Sequence, residues 1–331
     1  MKGVDLEQFQ FDYDLTWAAF FMNADGTIYG RYSSRTVAGP MAHNSIESLK
    51  NAMEQALALH RAYPENKALF EGKRGPTPRW KTALEIPALR KRFAQAMYQP
   101  TAKGNCIHCH NIYDGERETA YAEGNFDLDS IWVYPMPDNV GMKINVDTGH
   151  TVEAIVEGSF AAQAGIQPGD TIRTMNGQAI ISQADMQWVL HHLPQTATLN
   201  VELERNGQTL IKTLPLSGDW KRSDISWRES MWAIRPKLKV WAPELSAEAK
   251  AKLGLKPDAL ALDVRWVADD RTKAAGLKNG DVIIEVDGQT SAMSNNQMAL
   301  WVKLNHEVGD SLPIKVRRGE EVISLQLPLV E

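Results

Sequence analysis

A long internal repeat constrains this chain more than any other feature. The stretch "AGIQPGDTIRTMNGQAI" begins at Ala164, and "AGLKNGDVIIEVDGQTS" begins 111 residues later at Ala275. Gly165, Gly169, Asp170 and Gly177 return at that spacing as Gly276, Gly280, Asp281 and Gly288. Solenoid units repeat every 20 to 50 residues or so, which makes a period this long the mark of a duplicated domain. Each copy continues in the same order. A β-rich run closes on Asn-Gly or Asp-Gly, an apolar-periodic helix follows (183–193 and 294–305), and a strand pair ends on "LPL" at 214–216 and 327–329. The glycine after alanine lets a short helical turn end at positive φ, and "GD" reverses the chain into a buried strand. Asn-Gly and Asp-Gly then supply hairpin turns.

With 331 residues, 43% hydrophobic and 23% charged, the chain suits two or three domains with cores of their own. The net charge is −5 and no polybasic run occurs, which argues against nucleic acid and anionic membrane surfaces as partners. No stretch is apolar over the roughly 18 residues a membrane span requires. The opening "MKGVDLEQFQFDYD" lacks the basic-then-apolar layout of a signal peptide. Two cysteines build no disulfide framework, so packing must hold the fold.

Over about 138–217 and 232–330 the repeated unit resembles the PDZ domain, in the form that follows the protease domain of HtrA-type bacterial proteins. The first copy, "NVGMKINVDTGHTVEAIVEGSFAAQAGIQPGDTIRTMNGQ", runs through each expected element. In the second, "LKVWAPELSAEAKAKLGLKPDALALDVRWVADDRTKAAGLKNGDVIIEVDGQ", Lys239 stands where a glycine is usual. The resemblance implies an α+β, mostly β fold with two PDZ-like β-sandwich or barrel domains. It also implies partners that are protein C-termini or extended peptides, added as a strand to an open sheet edge beside a backbone nest for a terminal carboxylate. Carried over by position, the first groove would use Val140, Gly141, Met142 and Ile144 from the loop and edge strand. Met186, Val189 and Leu190 on the following helix would line its pocket, and Leu238, Val240 and Leu300 would serve the second groove. A helix stripe usually faces inward, and the same apolar residues also fit a plain core role.

Upstream, "LTWAAFFMNADGTIYGRYSS" (15–34) reads as a β-hairpin turning at Asn23, Asp25 and Gly26. "SIESLKNAMEQALALHRAY" then reads as a helix with Ile46, Leu49, Met53, Ala56, Leu57 and His60 on one face. Hairpin followed by helix resembles the C-terminal half of a thioredoxin-like domain, as in a bacterial family that joins such a domain to PDZ repeats, sometimes with selenocysteine. No cysteine precedes the hairpin, and "DLTW" stands where threonine–proline is usual, so the resemblance implies architecture without its redox motif. It further implies that the chain is the tail of a longer exported protein, periplasmic or otherwise extracytoplasmic. The expected organisation is a partial thioredoxin-like unit (1–63), a helical linker with the cysteine segment (64–137), and PDZ domains at 138–218 and 219–331. Within the linker, "TALEIPALRKRFAQAMYQP" reads as a helix interrupted at Pro87, with Arg90, Lys91 and Arg92 on a solvated face.

The linker holds "GNCIHCHNIYDG", residues 104–115, with both cysteines of the chain. Four uses stand open, haem c attachment first among them. Cys106 and Cys109 have the spacing that adds to haem vinyl groups, and His110 follows as an iron ligand. Met136 in "YPMPDNVG" would be the sixth ligand, or an apolar filler under the first PDZ copy. About thirty-five residues separate this segment from that copy, too few to bury a haem alone, so the helices at 44–63 and 81–98 would supply the walls. A dithiol–disulfide couple is the second use. Zinc, with His108 or His110, lacks a full donor set, and plain structural use is the fourth.

No G-x-S-x-G occurs, and His150, His191 and His192 have no obvious Ser or Cys partner, which makes them surface or groove-edge residues. Trp220, Trp227 and Trp232 are expected to pack at the seam between the copies. The expected function is a non-proteolytic tandem-PDZ binding scaffold. The alternative is a thiol–disulfide or electron-transfer oxidoreductase whose redox motif lies upstream.

Overall fold

Asn23 and Asp25 make the first turn of the fold. Both side chains accept the Thr27 N–H, at 2.9 and 3.0 Å, and Gly26 supplies positive φ. The hairpin so formed pairs β1 (Ala19–Met22) with β2 (Ile28–Tyr32). The computed structural model describes residues 1–94, Gln99 and 106–331, so Gly104 and the end of the helix expected over 81–98 lie outside the described residues. These divide into two units, Met1–Ser223 and Asp224–Glu331. The stretches 1–63, 64–137 and 138–218, read from sequence as three parts, fall together in the first.

Helix α1 (Ile46–Arg61) opens on a reciprocal cap between Ser45 and Ser48, which satisfies two amide donors that would otherwise be orphaned. Its inward face keeps Leu49, Ala56 and His60 of the six residues expected there and loses Ile46, Met53 and Leu57. Ala52 and Ala56 are buried with Tyr29, Tyr32 and Phe70, while Ile46, Met53 and Leu57 are exposed. Bulky tyrosines on β2 fill the centre of this cluster, so the helix meets it with Ala52 and Ala56 while Leu49 and Leu59 pack at its margin. Pro87 starts a helix rather than interrupting one: α2 (Pro87–Phe93) carries it at the first turn, where its missing N–H costs nothing. Helix α3 (Asn111–Glu123) follows the cysteine segment and stops at left-handed Gly124. A Cβ on Gly115 would stand 2.5 Å from Leu89 Cγ, so this glycine is what lets α3 close on α2. Leu6, Phe11, Ile86, Leu89, Ile107 and Ile112 share that core.

The first copy of the repeat pairs β3 (Met142–Ile144) with β4 (Val152–Ile155) in a two-stranded sheet, followed by α4 (Phe160–Gln163). A second sheet holds β5 (Thr171–Met175), β6 (Gln178–Ala179), β7 (Ala197–Arg205) and β8 (Gln208–Leu216) in the order β6-β5-β7-β8, with α5 (Gln183–His192) between β6 and β7 in the chain. Trp220 belongs to this core and donates its indole N–H to Gln195 O at 2.8 Å.

The second unit repeats the plan. Its elements are β9 (Val240–Trp241), α6 (Ala247–Lys252), β10 (Leu262–Asp263), β11 (Trp266–Val267), α7 (Asp270–Ala274), β12 (Val282–Val286), α8 (Asn295–Asn305), β13 (Ser311–Arg318) and β14 (Glu321–Pro328). One sheet has the order β10-β12-β13-β14 and the other pairs β11 with β9. Among the described residues, no helix is long and apolar enough to cross a membrane.

The repeated aspartate has a partner that sequence spacing does not announce. Arg205 Nε and Nη2 donate to the two oxygens of buried Asp170 at 2.6 and 2.7 Å. Arg318 grips Asp281 in the same way, both contacts at 2.7 Å. Each guanidinium also reaches the carbonyl of the repeated glycine, Gly165 O or Gly276 O. Each aspartate caps its turn through a backbone N–H, of Gln167 or Lys278. The fork of arginine thus ties the end of β7 or β13 to the glycine turn that precedes β5 or β12.

Candidate functional site

In both copies the strand expected to receive a partner is a sheet margin, since among the described residues β3 has only β4 beside it and β9 has only β11. The two copies differ in what faces that margin across the groove.

In the first copy Val140, Gly141 and Met142 are buried, with Ile144 half-buried at the end of β3. Gly141 takes positive φ, and a Cβ there would fall 2.0 Å from Ser159 Oγ, so the loop needs glycine. Met186, Val189 and Leu190 all lie in the core of this copy. The row at i, i+4 and i+8 on α5, Gln183, Gln187 and His191, is instead bonded by the chain itself. Gln187 Oε1 accepts from Ser34 Oγ at 2.7 Å, and its Nε2 donates to Tyr134 O at 2.8 Å. Gln183 Nε2 reaches His43 O at 3.5 Å. The His191 ring stacks on Tyr134 at 4.2 Å between centroids. Ser45 Oγ and Asn51 Nδ2 donate to Val146 O and Asp147 O just beyond β3. Residues 33–51 therefore bond both walls of the first groove.

The back of α5 is held as firmly. Asp185, fully buried, accepts from Lys73 Nζ at 2.6 Å and from the Arg31 backbone N–H at 3.1 Å. Trp188 donates to Gly72 O at 2.7 Å and lies under the Arg31 guanidinium at 3.6 Å. Gly30 makes this approach possible, because a Cβ there would stand 2.3 Å from Ile181 Cδ1.

In the second copy a cavity of about 400 Å³ opens beside the margin. Leu238 and Val240 line it, as carried over from the family pattern, together with Lys239; Leu300 is buried but does not line it. Trp232, Trp241 and Trp266 rim it and are all exposed. Lys239 O and Trp241 O accept from Ala268 and Arg265 on the β11 side. By the alternation of an antiparallel pair, Val240 then directs its own N–H and C=O to the open side. Two residues on, Asn295 at the start of α8 accepts the Ala242 N–H at 2.9 Å and closes that end of the groove.

Cys106 is exposed and Cys109 half-buried, and the two are not joined in a disulfide. Burial pushes the Cys109 thiol above its ordinary value, the opposite of what an activated nucleophile needs. His110 Nδ1 lies 3.5 Å from Asp114 Oδ2. Met136 is buried in the approach to the first copy. Among the described residues no three His, Cys, Asp or Glu side chains converge as a metal site.

Beside α3, a second cavity of about 400 Å³ is lined by Tyr113, Glu116, Arg117, Phe126 and His191. Burial pushes the Glu116 carboxyl up to about 7, with Arg117 opposing. Between the ordinary glutamate range and that value the folded state keeps a proton the unfolded state gives up, so stability falls as pH rises from about 4.5 to 7. Glu116→Gln is expected to stabilise the protein by about 1–2 kcal/mol at pH 8 and to change little at pH 4. Urea unfolding at the two pH values checks this, and an equal effect at both would refute it.

Comparison with known proteins agrees with the reading of the first copy. A PDZ-domain family model matches residues 139–216. A probable periplasmic serine endoprotease, DegP-like, of Pseudomonas putida (strain W619) is 33% identical over 171 residues, which is 50% of this chain and 33% of that protein. Periplasmic serine endoprotease DegP of Salmonella typhimurium is 27% identical over 184 residues, 56% of this chain and 35% of its own length. The chain thus carries a PDZ domain and is homologous to DegP-type proteins, while spanning about a third of their length. Among solved structures, the HtrA3 PDZ domain bound to a phage-derived ligand is 15% identical, covers 29% of this chain and 86% of its own, and superposes with a TM-score of 0.24. The HtrA-type protease AlgW with a decapeptide is 19% identical, with 40% and 49% coverage and a TM-score of 0.26.

Proposed function

We propose that this chain is a non-proteolytic, extracytoplasmic PDZ scaffold for protein C-termini or extended peptides. The second copy takes the partner, and the chain's own residues 33–51 hold the first groove shut. The observation that carries this is the contrast between the grooves. Gln183, Gln187 and His191 are spent on internal contacts, whereas the cavity beside Val240 is open and rimmed with tryptophan. Exposed tryptophans around an apolar floor are the usual anchors of a binding surface. The periplasmic DegP-like relatives support the location.

The test is hydrogen exchange on the full chain with and without a saturating peptide library. Protection is expected at 238–242 and 295–303 and not at 140–144 or 183–191. Val240→Glu is expected to weaken binding at least tenfold. Protection confined to α5, or no binding at all, would overturn the proposal.

The cysteine segment supports a second role. Asp114 beside His110 Nδ1 is the acceptor placement that orients an iron-ligating imidazole through its other nitrogen, and Cys109 abuts the apolar cluster around Ile107 and Ile112. These residues fit haem c, with Cys106 and Cys109 as thioether anchors and His110 on the iron; the group would supply one-electron transfer. Expression in an exporting host with haem-maturation factors should give Soret absorbance that survives denaturation and disappears in Cys106→Ala. A colourless product rules haem out and leaves the thiol pair as a redox couple to be titrated.

A further inference from the structure

The cavity beside α3 has a smaller neighbour of about 220 Å³. Four aromatic residues line it, Phe11, Tyr13, Tyr113 and Tyr134. Among the described residues no lysine or arginine lines it, and its one acidic residue is Glu116, which the larger cavity shares. Among the described residues Arg117 is the charge that acts on the Glu116 carboxyl, and no hydrogen bond satisfies it. Pockets for drug-sized ligands begin at roughly 300 Å³, so the occupant of this one is small. Aromatic rings around a carboxyl are the parts that recognise an organic cation: the rings offer a negative face to diffuse positive charge, and the carboxylate balances it. A primary ammonium must place three N–H donors, whereas a fully methylated nitrogen has none and asks only for apolar contact and charge balance. A lining rich in rings with a single carboxyl suits the second.

We propose that this aromatic box binds the trimethylammonium group of a small free molecule, with Glu116 as its counter-charge. The larger cavity, lined also by Asn125, Asp127 and Ser130, takes the polar tail. A quaternary nitrogen does not titrate, so the pH dependence of binding belongs to the protein. Burial pushes Glu116 up to about 7, which leaves the empty site neutral below that value and ionised above it. The cation binds the ionised form, so affinity rises from pH 5.5 to 8. The other groups facing this carboxyl do not reverse that sign. Burial, with Glu116 and Cys109 adding and Arg31 opposing, holds Tyr13 above the ordinary phenol range and therefore neutral. Burial lowers His192, with the Trp188 carbonyl opposing and Arg31 and Lys221 adding, so its ring is neutral where Glu116 ionises. Tyr113 and Arg117 are neighbours of Glu116 on α3, His191 is stacked on Tyr134, and Asp127 lies in the larger cavity.

Isothermal titration calorimetry on the full chain tests this with choline and with dimethylbutanol, the same molecule with carbon in place of the charged nitrogen. Choline is expected to bind at least tenfold tighter than the alcohol at pH 8, about 1.4 kcal/mol. At pH 5.5 it should lose tenfold or more of that affinity. Glu116→Gln should bring choline down to the level of the alcohol and flatten the pH dependence. That variant is expected to be the more stable protein at pH 8, so a loss of binding there is not unfolding. Equal affinity for choline and the alcohol, or choline affinity undiminished in Glu116→Gln, refutes the counter-charge. An absence of choline binding at both pH values refutes the site. Binding of phosphatidylcholine vesicles without binding of free choline would make the ligand a lipid surface and overturn the assignment to a free molecule.

Discussion

Asp185→Ala is expected to destabilise the first unit by about 3–5 kcal/mol, the cost of stranding a buried charge by removing its partner. Asp185 is fully buried and Lys73 is 1% exposed. The carboxylate receives Lys73 Nζ at 2.6 Å and the backbone N–H groups of Arg31 and Ile181 at 3.1 and 3.2 Å. Lys73 Nζ has one other acceptor, Ala179 O. Burial already pushes Lys73 below the ordinary lysine range, Asp185 opposes that shift, and Arg31 adds to it. Without Asp185 the ammonium has no counter-charge, and two amide donors lose their acceptor. In a unit of this size the loss amounts to a melting temperature lower by roughly 8–15 °C. The double variant Lys73→Met with Asp185→Leu should recover all but about 1–2 kcal/mol, since apolar replacement of a whole buried pair is close to neutral. Urea melts of both variants decide the matter; a loss under about 1 kcal/mol in Asp185→Ala would refute it. The same carboxylate joins β2 to α5, so the variant should also loosen residues 33–51 from the first groove and raise their exchange rates.

Local chemistry made part of this fold legible and distance hid the rest. The glycines at 165, 169 and 177 fix turns through their own φ, which neighbouring residues suffice to reveal, and their recurrence at 276, 280 and 288 exposes the duplication. The hairpin turn at Asn23–Gly26 and the Ser45 cap are equally local. Periodicity finds Leu49 and Ala56 on the inward face of α1 but also points to Ile46, Met53 and Leu57, which are exposed, because the tyrosines of β2 turn the helix toward Ala52 and Ala56. Packing volume across two elements decides that, and no periodicity carries it.

The groove residues show the same division. Positional carry-over found Leu238 and Val240, which line the cavity, because a loop and its strand are contiguous in the chain. It did not find Lys303, since a lysine in the last turn of a helix ordinarily reads as a solvated charge near the dipole. Nor did it find Gln187, whose partners Ser34 and Tyr134 lie 153 and 53 residues away. Gln187 stands between Met186 and Trp188 on α5, and a polar residue flanked by large apolar ones is the signal that was available.

Asp170→Ala is expected to cost about 2–3 kcal/mol in the first unit. The repeated aspartate looks like a turn residue, and as a turn residue alone it would matter by only a fraction of that. Its carboxylate is instead wholly buried under a two-pronged contact from Arg205 and receives the Gln167 N–H at 2.8 Å. Charge-assisted bonds of this kind contribute more than neutral ones. Solvent reaches the outer side of Arg205, which is 22% exposed, and screening there keeps the cost below that of Asp185→Ala. Arg205→Lys should recover only part of the loss seen in Arg205→Ala, because a single ammonium cannot span both carboxylate oxygens and Gly165 O. If lysine restored full stability, the contact would be a simple charge pair. If alanine at 170 cost nothing, the turn glycines alone would hold the register of β5. The geometry argues for the fork, since Asp281 and Arg318 rebuild it bond for bond in a unit whose groove has otherwise diverged.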